Sequence, residues 1–329
     1  MNYARSGHQS SVLTNGKVFV TGGEYSGGSL NSAELYDLST GVWIMTGSMT
    51  SGRVRHTASI LTNGKVLVSG GQNNGVSVNS AELYDPSTGV WATTGNMNYA
   101  RYDPQSAVLA NGKVLVAGGY AEGVGYLNSA ELYDPSRGVW TITGSMNYAR
   151  EGYQLSVLTN MKVLVAGGGN SVSYLNSAEL YDSSTGVWTI TGNMNYARGY
   201  YAASVLTNGK VLVAAGYDRG VGYLNSAELY DPSTEIWSII GNMSENRGYY
   251  SASILTNGKV LVAGGTNSAV DLNSAELYDP STGVWLITDN MTYARYCHQS
   301  SVLPTGKVLV TGGYNSGGYF LHSSELYQL

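Results

Sequence analysis

Short apolar segments that end in paired glycines recur at a regular interval along this chain of 329 residues. A typical copy, Gly-Lys-Val-Leu-Val-Ala-Gly-Gly, spans residues 112–119, and a Glu-Leu-Tyr triplet follows each copy. The spacing of 48 or 49 residues predicts seven copies of one structural unit, and this repetition overrides the two domains that length alone suggests. The seven triplets start at Glu34, Glu82, Glu131, Glu179, Glu228, Glu276 and Glu325.

Each unit is predicted to contain four short strands, a to d, joined by turns. Asn15-Gly16 favours a primed two-residue hairpin turn between strands a and b. Residues 85–89 favour a type I turn, closed by a left-handed glycine, between strands c and d. Strand b is apolar on both faces, as in residues 114–116, so both faces must be covered. In the first unit we expect the strands near residues 8–13, 17–21, 33–37 and 42–45.

The repeat resembles the kelch motif. In both, a strand ends in Gly-Gly, a Tyr-Asp pair follows, a tryptophan comes six or seven residues later, and an arginine completes the unit. The six tryptophans are Trp43, Trp91, Trp140, Trp188, Trp237 and Trp285.

The resemblance implies an all-β fold, a seven-bladed β-propeller of four-stranded antiparallel blades around a channel, with strand a innermost. We expect one domain over residues 1–329, with the last blade lacking its outer strand because no tryptophan segment follows Glu325. The expected blades span residues 5–48, 49–96, 97–145, 146–193, 194–242, 243–290 and 291–329.

Three local departures from the repeat affect turn positions. Met161 replaces the glycine of the a–b turn, Ala215 replaces the first glycine of the Gly-Gly pair, and Glu235 replaces the c–d turn glycine. The other copies retain glycine at these places.

Composition excludes several classes of protein. The net charge of −5 offers no electrostatic footprint for nucleic acid, and no apolar run approaches the length of a membrane span. A single cysteine, Cys297, rules out a disulfide framework and a cysteine-rich zinc site. We expect a monomer, and a cytosolic one if the chain is complete; the compartment itself stays open.

Variation among the seven copies is confined to one predicted face. In an antiparallel blade the a–b and c–d turns share one face, and here they are nearly invariant. The b–c loops and d–a crossovers share the other face and vary strongly. Fifteen tyrosines outside the repeated motifs lie in these b–c loops or where strand a begins. They are Tyr25, Tyr102, Tyr120, Tyr126, Tyr153, Tyr174, Tyr200, Tyr201, Tyr217, Tyr223, Tyr249, Tyr250, Tyr296, Tyr314 and Tyr319.

Tyrosine is favoured on recognition surfaces because it supplies contact area at a low entropic cost. The sequence therefore predicts a non-catalytic scaffold that binds a protein or peptide around the channel mouth on this face. A carbohydrate-binding or extracellular kelch module is the alternative, and a kelch-type oxidase or hydrolase is a remote one. The candidate binding residues are His8, Arg55, His56, Tyr102, Asp103, Glu151, Tyr153, Tyr200, Tyr201, Tyr249, Tyr250, Tyr296 and His298.

Three groups of residues carry side chains that could do chemistry. His8, His56 and His298 share one position in blades that ring closure makes neighbours, and would bind zinc or copper if they converged. Asp103 and Glu151 would form an acid/base pair if they met in a cleft, but acids on an acidic face are more often solvated. Residues 296–298, Tyr-Cys-His, resemble part of the galactose-oxidase-like site, whose other ligands lie in longer loops. We expect no enzyme activity, no metal and no cofactor.

One arginine in each crossover recurs with the repeat. A structural ion pair or a cap on backbone carbonyls is the favoured interpretation, although in some kelch adaptors arginines near this region grip acidic peptides. The charge of the partner therefore stays open. These arginines are Arg5, Arg53, Arg101, Arg150, Arg198, Arg247 and Arg295.

Overall fold

The computed structural model describes residues 1–328, which form seven antiparallel blade sheets in a ring. Six sheets have the strand order a-b-c-d, and the seventh has the order a-b-c within the described residues. Strand a of each blade contacts strand a of the next, including blade 7 against blade 1. The predicted seven-bladed propeller is confirmed. Among residues 1–328, no helix has the length and apolar character to cross a bilayer.

The strands begin and end within one residue of the predicted bounds in the first blade. The innermost strands a are Gln9–Val12, Thr57–Ile60, Gln105–Val108, Gln154–Val157, Ala202–Val205, Ser251–Ile254 and Gln299–Val302. Strands b are Val18–Thr21, Val66–Ser69, Val114–Ala117, Val163–Ala166, Val211–Ala214, Val260–Ala263 and Val308–Thr311. Strands c are Ala33–Asp37, Ala81–Asp85, Ala130–Asp134, Ala178–Asp182, Ala227–Asp231, Ala275–Asp279 and Ser324–Tyr327. Strands d are Val42–Met45, Val90–Thr93, Val139–Thr143, Val187–Thr191, Ile236–Ile240 and Val284–Thr288.

Five of the b–c loops fold into small hairpins that stand on one face of the ring. Each crossover pairs with the b–c loop of its own blade through one antiparallel bridge, such as Tyr102 with Tyr120. The variable loops and the crossovers therefore share a face, as the sequence predicts. The hairpin strands are Glu24–Tyr25 with Gly28–Ser29, Gln72–Asn73 with Val76–Ser77, Tyr120–Ala121 with Gly125–Tyr126, Tyr217–Asp218 with Gly222–Tyr223, and Tyr314–Asn315 with Tyr319–Phe320.

The a–b turn differs from the predicted primed turn. A primed type I turn needs a positive φ at both central residues, but in the first blade Gly16 has a φ of 79° and Asn15 is absent from the positive-φ residues. The Gly16 N–H bonds the Leu13 carbonyl, and the Leu13 N–H bonds the Lys17 carbonyl. The loop is thus a three-residue one closed by a left-handed glycine. The Asn15 side chain accepts a hydrogen bond from the Lys17 N–H at 3.1 Å, which stabilises it.

Repeated aromatic residues join each blade to its neighbour. Every strand b is fully buried between adjacent blades, as its apolar faces predict. In five of the seven blades the tyrosine of Glu-Leu-Tyr hydrogen-bonds a threonine of the preceding blade, as in Tyr133 with Thr94 at 2.7 Å. The Trp140 indole donates to the Gly95 carbonyl, also in the preceding blade, at 2.8 Å. The scaffold tyrosines and tryptophans are therefore inter-blade contacts.

A buried ion pair in each blade joins the crossover to strand c. In blade 4, Arg150 donates to Glu179 at 2.9 Å, and both side chains are fully buried. The guanidinium also donates to the carbonyls of Gly167 and Ser177, at 2.6 and 2.9 Å. The second carboxylate oxygen of Glu179 accepts the Asn147 N–H at 2.7 Å. The expectation that the crossover arginines are structural is supported by this geometry.

Breaking this pair is expected to destabilise the fold strongly. Glu179→Gln leaves a buried guanidinium without its counter-charge, so we expect a loss of about 3 kcal/mol of unfolding free energy. The matched change Glu325→Gln is expected to cost about 1 kcal/mol, because Glu325 is 19% exposed and solvent screens its pair. Urea unfolding measures both values. Equal losses in the two variants would show that burial does not set the strength of the pair.

The turn position of Met161 offers a stabilising substitution. Met161 has a φ of 67° and is 63% exposed, so it bears left-handed strain without a packing benefit in return. We expect Met161→Gly to raise the unfolding free energy by about 1 kcal/mol. The reverse change Gly209→Met, at the same turn of blade 5, should lower it by a similar amount. A lower thermal midpoint for Met161→Gly would refute the strain argument.

Candidate functional site

Seven residues with a left-handed backbone close a ring around one end of the channel. Each lies two positions after a crossover arginine, and their φ values run from 51° to 64°. Around most of the ring, the N–H of one residue bonds the carbonyl of its counterpart in the preceding blade, as Arg55 bonds Gly7 at 2.9 Å. We call these residues the mouth ring: Gly7, Arg55, Asp103, Gly152, Tyr200, Tyr249 and Cys297.

The mouth ring has one discontinuity. Six of its residues donate to the preceding carbonyl, whereas the Gly152 N–H lies against the Asp103 side chain instead. Gly152 carries no side chain, and the Tyr200 ring lies in the space that a Cβ would take there. The backbone of the mouth ring is thus nearly seven-fold symmetric, whereas its side chains do not repeat with that symmetry.

A continuous series of aromatic rings follows the mouth through blades 4 to 7 and into blade 1. Tyr200 stacks on Tyr249 with ring centroids 4.3 Å apart, and the remaining neighbours meet mainly edge to face at 4.9–6.5 Å. We call this series the aromatic arc. Its members, in spatial order, are Tyr223, Tyr217, Tyr174, Tyr200, Tyr249, Tyr296, Tyr314, Phe320 and Tyr25.

Glycines beneath the arc let the rings lie directly on the backbone. A Cβ added at Gly199 would meet the Tyr174 ring at 2.4 Å, and one at Gly152 would meet the Tyr200 ring at 2.8 Å. These side chains therefore depend on glycine at the adjoining crossovers. The arc is held in place by the scaffold.

Arg55 extends across the mouth toward blades on both sides. Its guanidinium lies 5.5 Å from the Tyr102 ring centroid and 6.0 Å from that of Tyr249. Both distances fall within the range of a cation–π contact. The residue therefore links blades 2, 3 and 6 at the centre of the face.

Two carboxylates, those of Asp103 and Glu151, lie beside Gly152 and Tyr200. Burial, and the nearness of each carboxylate to the other, raises the pKa of Glu151; the Tyr200 hydroxyl donates to it at 3.2 Å. Burial also raises the pKa of Asp103, against the opposing effects of Arg55 and the Gly152 N–H. Burial raises the pKa of Tyr102 to about 12, so its hydroxyl stays protonated.

Two cavities adjoin the mouth ring. The first, of about 220 Å³, opens into the channel and is lined by mouth-ring residues and by the first residues of strands a, including Gln105 and Gln154. The second, of about 270 Å³, lies on the b–c side between Glu24, Arg55, Tyr296 and Phe320. Gly7, Arg55 and Cys297 line both, so they separate the channel from the outer face.

Comparison with protein families decides the assignment. The family described as the KLHDC2/KLHL20/DRC7 Kelch-repeats domain matches residues 105–313, and the Kelch motif matches residues 5–50 and 53–98. The chain belongs to the kelch-repeat family. Kelch domains generally act as protein-interaction scaffolds.

Comparison with solved structures independently supports the propeller fold. No curated protein matches this kelch chain. Among solved structures, it is similar to a fungal alcohol oxidase of the AA5 family, solved in complex with copper, with a TM-score of 0.77 and 20% sequence identity. The match covers 95% of this chain and 70% of that one. At this identity the likeness shows the propeller fold alone.

The structure places seven of the candidate binding residues together at the mouth of the kelch ring. Arg55, Asp103, Tyr200 and Tyr249 belong to the mouth ring itself. Tyr102, Glu151 and Tyr296 stand one position before it, beside the b–c loops. Sequence reasoning did not select Cys297, Tyr174, Tyr314 or Phe320, which share the same surface. Cys297 stands two residues after Arg295, the same place in the repeat as Arg55 and Tyr200, so its position in the repeat could have identified it.

The other six candidates lie between the blades, three positions after the crossover arginine. The three tyrosines bond the scaffold: the Tyr153 hydroxyl donates to the Ala117 carbonyl at 2.6 Å, and Tyr201 and Tyr250 donate to the equivalent carbonyls of Ala166 and Ala214. The histidines are equally buried. These residues, which support the cavity from below, are His8, His56, Tyr153, Tyr201, Tyr250 and His298.

The histidines and the cysteine that the sequence offers for metal or redox chemistry do not form a ligand set within residues 1–328. The Nε2 atoms of His8 and His298 pair with hydroxyls of Thr311 and Ser251, at 3.0 and 2.8 Å. Within residues 1–328, no three His, Cys, Asp or Glu side chains converge to hold a metal ion. Burial raises the pKa of the Cys297 thiol, so it is held as a neutral thiol. The donor set therefore does not fit a copper site.

The buried histidines predict an acid-sensitive fold. Burial lowers the pKa of His56 to about 3 and that of His298 to about 3, whereas both take up protons near pH 6.5 when unfolded. The unfolded state therefore binds more protons between those values, and stability falls as the pH falls below 6.5. His56→Tyr copies the residue of blades 4 to 6. It should reduce the slope of unfolding free energy between pH 6 and 4 by about 1.4 kcal/mol per pH unit.

Urea unfolding at several pH values measures this slope. The control His322→Tyr changes an exposed histidine and should leave the slope unchanged. The same slope in wild type and His56→Tyr would mean that His56 is protonated in the folded protein.

Proposed function

We propose that this kelch propeller is a non-catalytic scaffold that binds a protein segment or peptide over the channel mouth, on the face of the b–c loops and crossovers. The observation that carries the proposal is the aromatic arc, a continuous series of nine rings beside two cavities. Aromatic side chains around a concave site are the usual anchors of protein recognition.

The strain in the mouth ring supports a role beyond packing. Tyr200 and Tyr249 hold φ values of 52° and 56°, a conformation that costs free energy for a bulky residue. Gly7 and Gly152 fill the same backbone position in blades 1 and 4 without that cost. Because the scaffold accepts glycine there, the tyrosines contribute something that the fold does not require.

Glycan binding is the competing function. Tyr25 and Tyr319 are 48% and 68% exposed, and such rings can stack on sugars. Most arc members, however, pack against another ring, as Tyr174 does edge to face against Tyr217. The Tyr174 and Tyr249 rings also hold the guanidinium groups of Arg219 and Arg55, a contact that a peptide side chain can make and a neutral sugar cannot.

Glycine substitutions in the mouth ring test the proposal. Peptides are selected from a displayed library of random dodecapeptides on the wild-type protein, and their affinities are measured by calorimetry. We expect Tyr200→Gly/Tyr249→Gly to weaken binding by about tenfold or more, because it removes two central anchors at positions that tolerate glycine. The control Tyr196→Ala removes a tyrosine that is 44% exposed and outside the arc, and should bind normally.

Two results would contradict the proposal. One is a selection that enriches no peptide, and the other is an equal loss of affinity in the Tyr196→Ala control. A glycan array that is positive while the peptide selection is negative would support the carbohydrate alternative instead.

A further inference from the structure

The face that carries the aromatic arc is acidic, whereas the opposite face holds every lysine. All seven lysines lie in the a–b turns, and five of them pair with an aspartate of the c–d turn, as Lys17 does with Asp37 at 3.0 Å. The seven crossover arginines are buried in ion pairs. On the b–c face this leaves Arg55 and Arg219 against eight carboxylates outside the repeat. Those carboxylates are Glu24, Asp103, Glu122, Glu151, Asp218, Glu245, Asp271 and Asp289.

Both arginines of this face are held by tyrosine rings. Arg219 lies 5.8 Å from the Tyr174 centroid, and Arg55 lies between Tyr102 and Tyr249. Neither forms an ion pair within 4 Å in residues 1–328. The arc therefore already accommodates guanidinium groups against the faces of its rings, the arrangement that a cationic ligand would use.

The two carboxylates beside Gly152 accept hydrogen bonds but have no cation paired with them among residues 1–328. Several acids of the face are engaged in local structure, since Asp218 accepts the Gly220 N–H at 2.6 Å and Glu122 accepts the Ser77 N–H at 2.6 Å. Asp103 and Glu151 have no cation within 4 Å among the described residues. Their desolvation is unfavourable until a positive charge reaches them.

We propose that the segment bound by the aromatic arc is basic and that one of its lysine or arginine side chains enters the mouth between Asp103 and Glu151. This rests on the proposed function and adds the chemical class of the partner. The cavity of about 220 Å³ that Asp103, Gly152 and Tyr200 line gives the charged group space beside Asp103. The Tyr200 ring, which lies directly on Gly152, would border its aliphatic stem. Charge complementarity of this kind selects the partner and accelerates its association.

The sequences of the selected dodecapeptides test the proposal. We expect those selected on the wild type to contain more lysine and arginine than the starting library. Asp103→Asn/Glu151→Gln should bind them about tenfold or more weakly, and replacing the key arginine of a peptide with neutral citrulline should have the same effect. Asparagine tolerates the left-handed backbone of position 103, so the variant keeps the ring. The control Glu245→Gln removes an equal charge from the crossover of blade 6 and should bind normally.

Unfolding of the double variant supplies a second readout. Because its two carboxylates are neutralised, it should unfold at the same temperature as the wild type or a higher one, which separates lost binding from lost folding. Peptides enriched in acidic residues, or equal affinity for wild type and double variant, would overturn the proposal. If neutral peptides bind and require Tyr200 and Tyr249, only the charge inference fails. If no peptide is enriched, the proposed function fails with it.

Discussion

The fold depends on one buried ion pair that is repeated in every blade. Its arginine donates to the glutamate of strand c and to the carbonyls on either side of the b–c loop, while the glutamate also accepts an N–H of the crossover. One guanidinium thus joins three chain segments at the variable face. Removing either charge would leave the other buried and uncompensated, so each pair fixes the point from which the next residues enter the ring. The loops can vary in sequence because their ends are held.

Because of this arrangement, the backbone of the mouth ring is fixed while the residue type at each of its positions can vary. Two residues after each arginine the chain must turn left-handed, a conformation that favours glycine. Gly7 and Gly152 satisfy that preference, whereas five other side chains occupy the position despite the strain, among them Arg55, Tyr200 and Cys297. These strained residues are all in the mouth ring and line the same cavities. Backbone strain concentrated in this way is typical of binding sites.

The sequence predicts the scaffold well and the site in part. Strand bounds, the shared face of the variable loops and the structural role of the crossover arginines follow from a pattern repeated seven times. The predicted type of the a–b turn was wrong. Asn-Gly fits a primed two-residue turn and also a type I turn followed by a left-handed glycine, and local sequence does not separate these two turn types. Likewise, Tyr200 and Tyr201 are adjacent in sequence and equally aromatic. The left-handed backbone at Tyr200 directs the Tyr200 side chain toward the mouth, and the Tyr201 side chain then lies between blades.

Contacts across the ring lie beyond sequence patterns altogether. Arg55 reaches Tyr249, which is 194 residues away along the chain, because ring closure brings blades 2 and 6 to the same opening. Side chains of one size at all seven positions would fill the opening evenly. Here neighbouring side chains lie over the two glycines, an arginine crosses the centre and two stacked tyrosines border one side. A ligand therefore meets a different group from each direction, so a nearly symmetric scaffold can bind an asymmetric segment in one orientation.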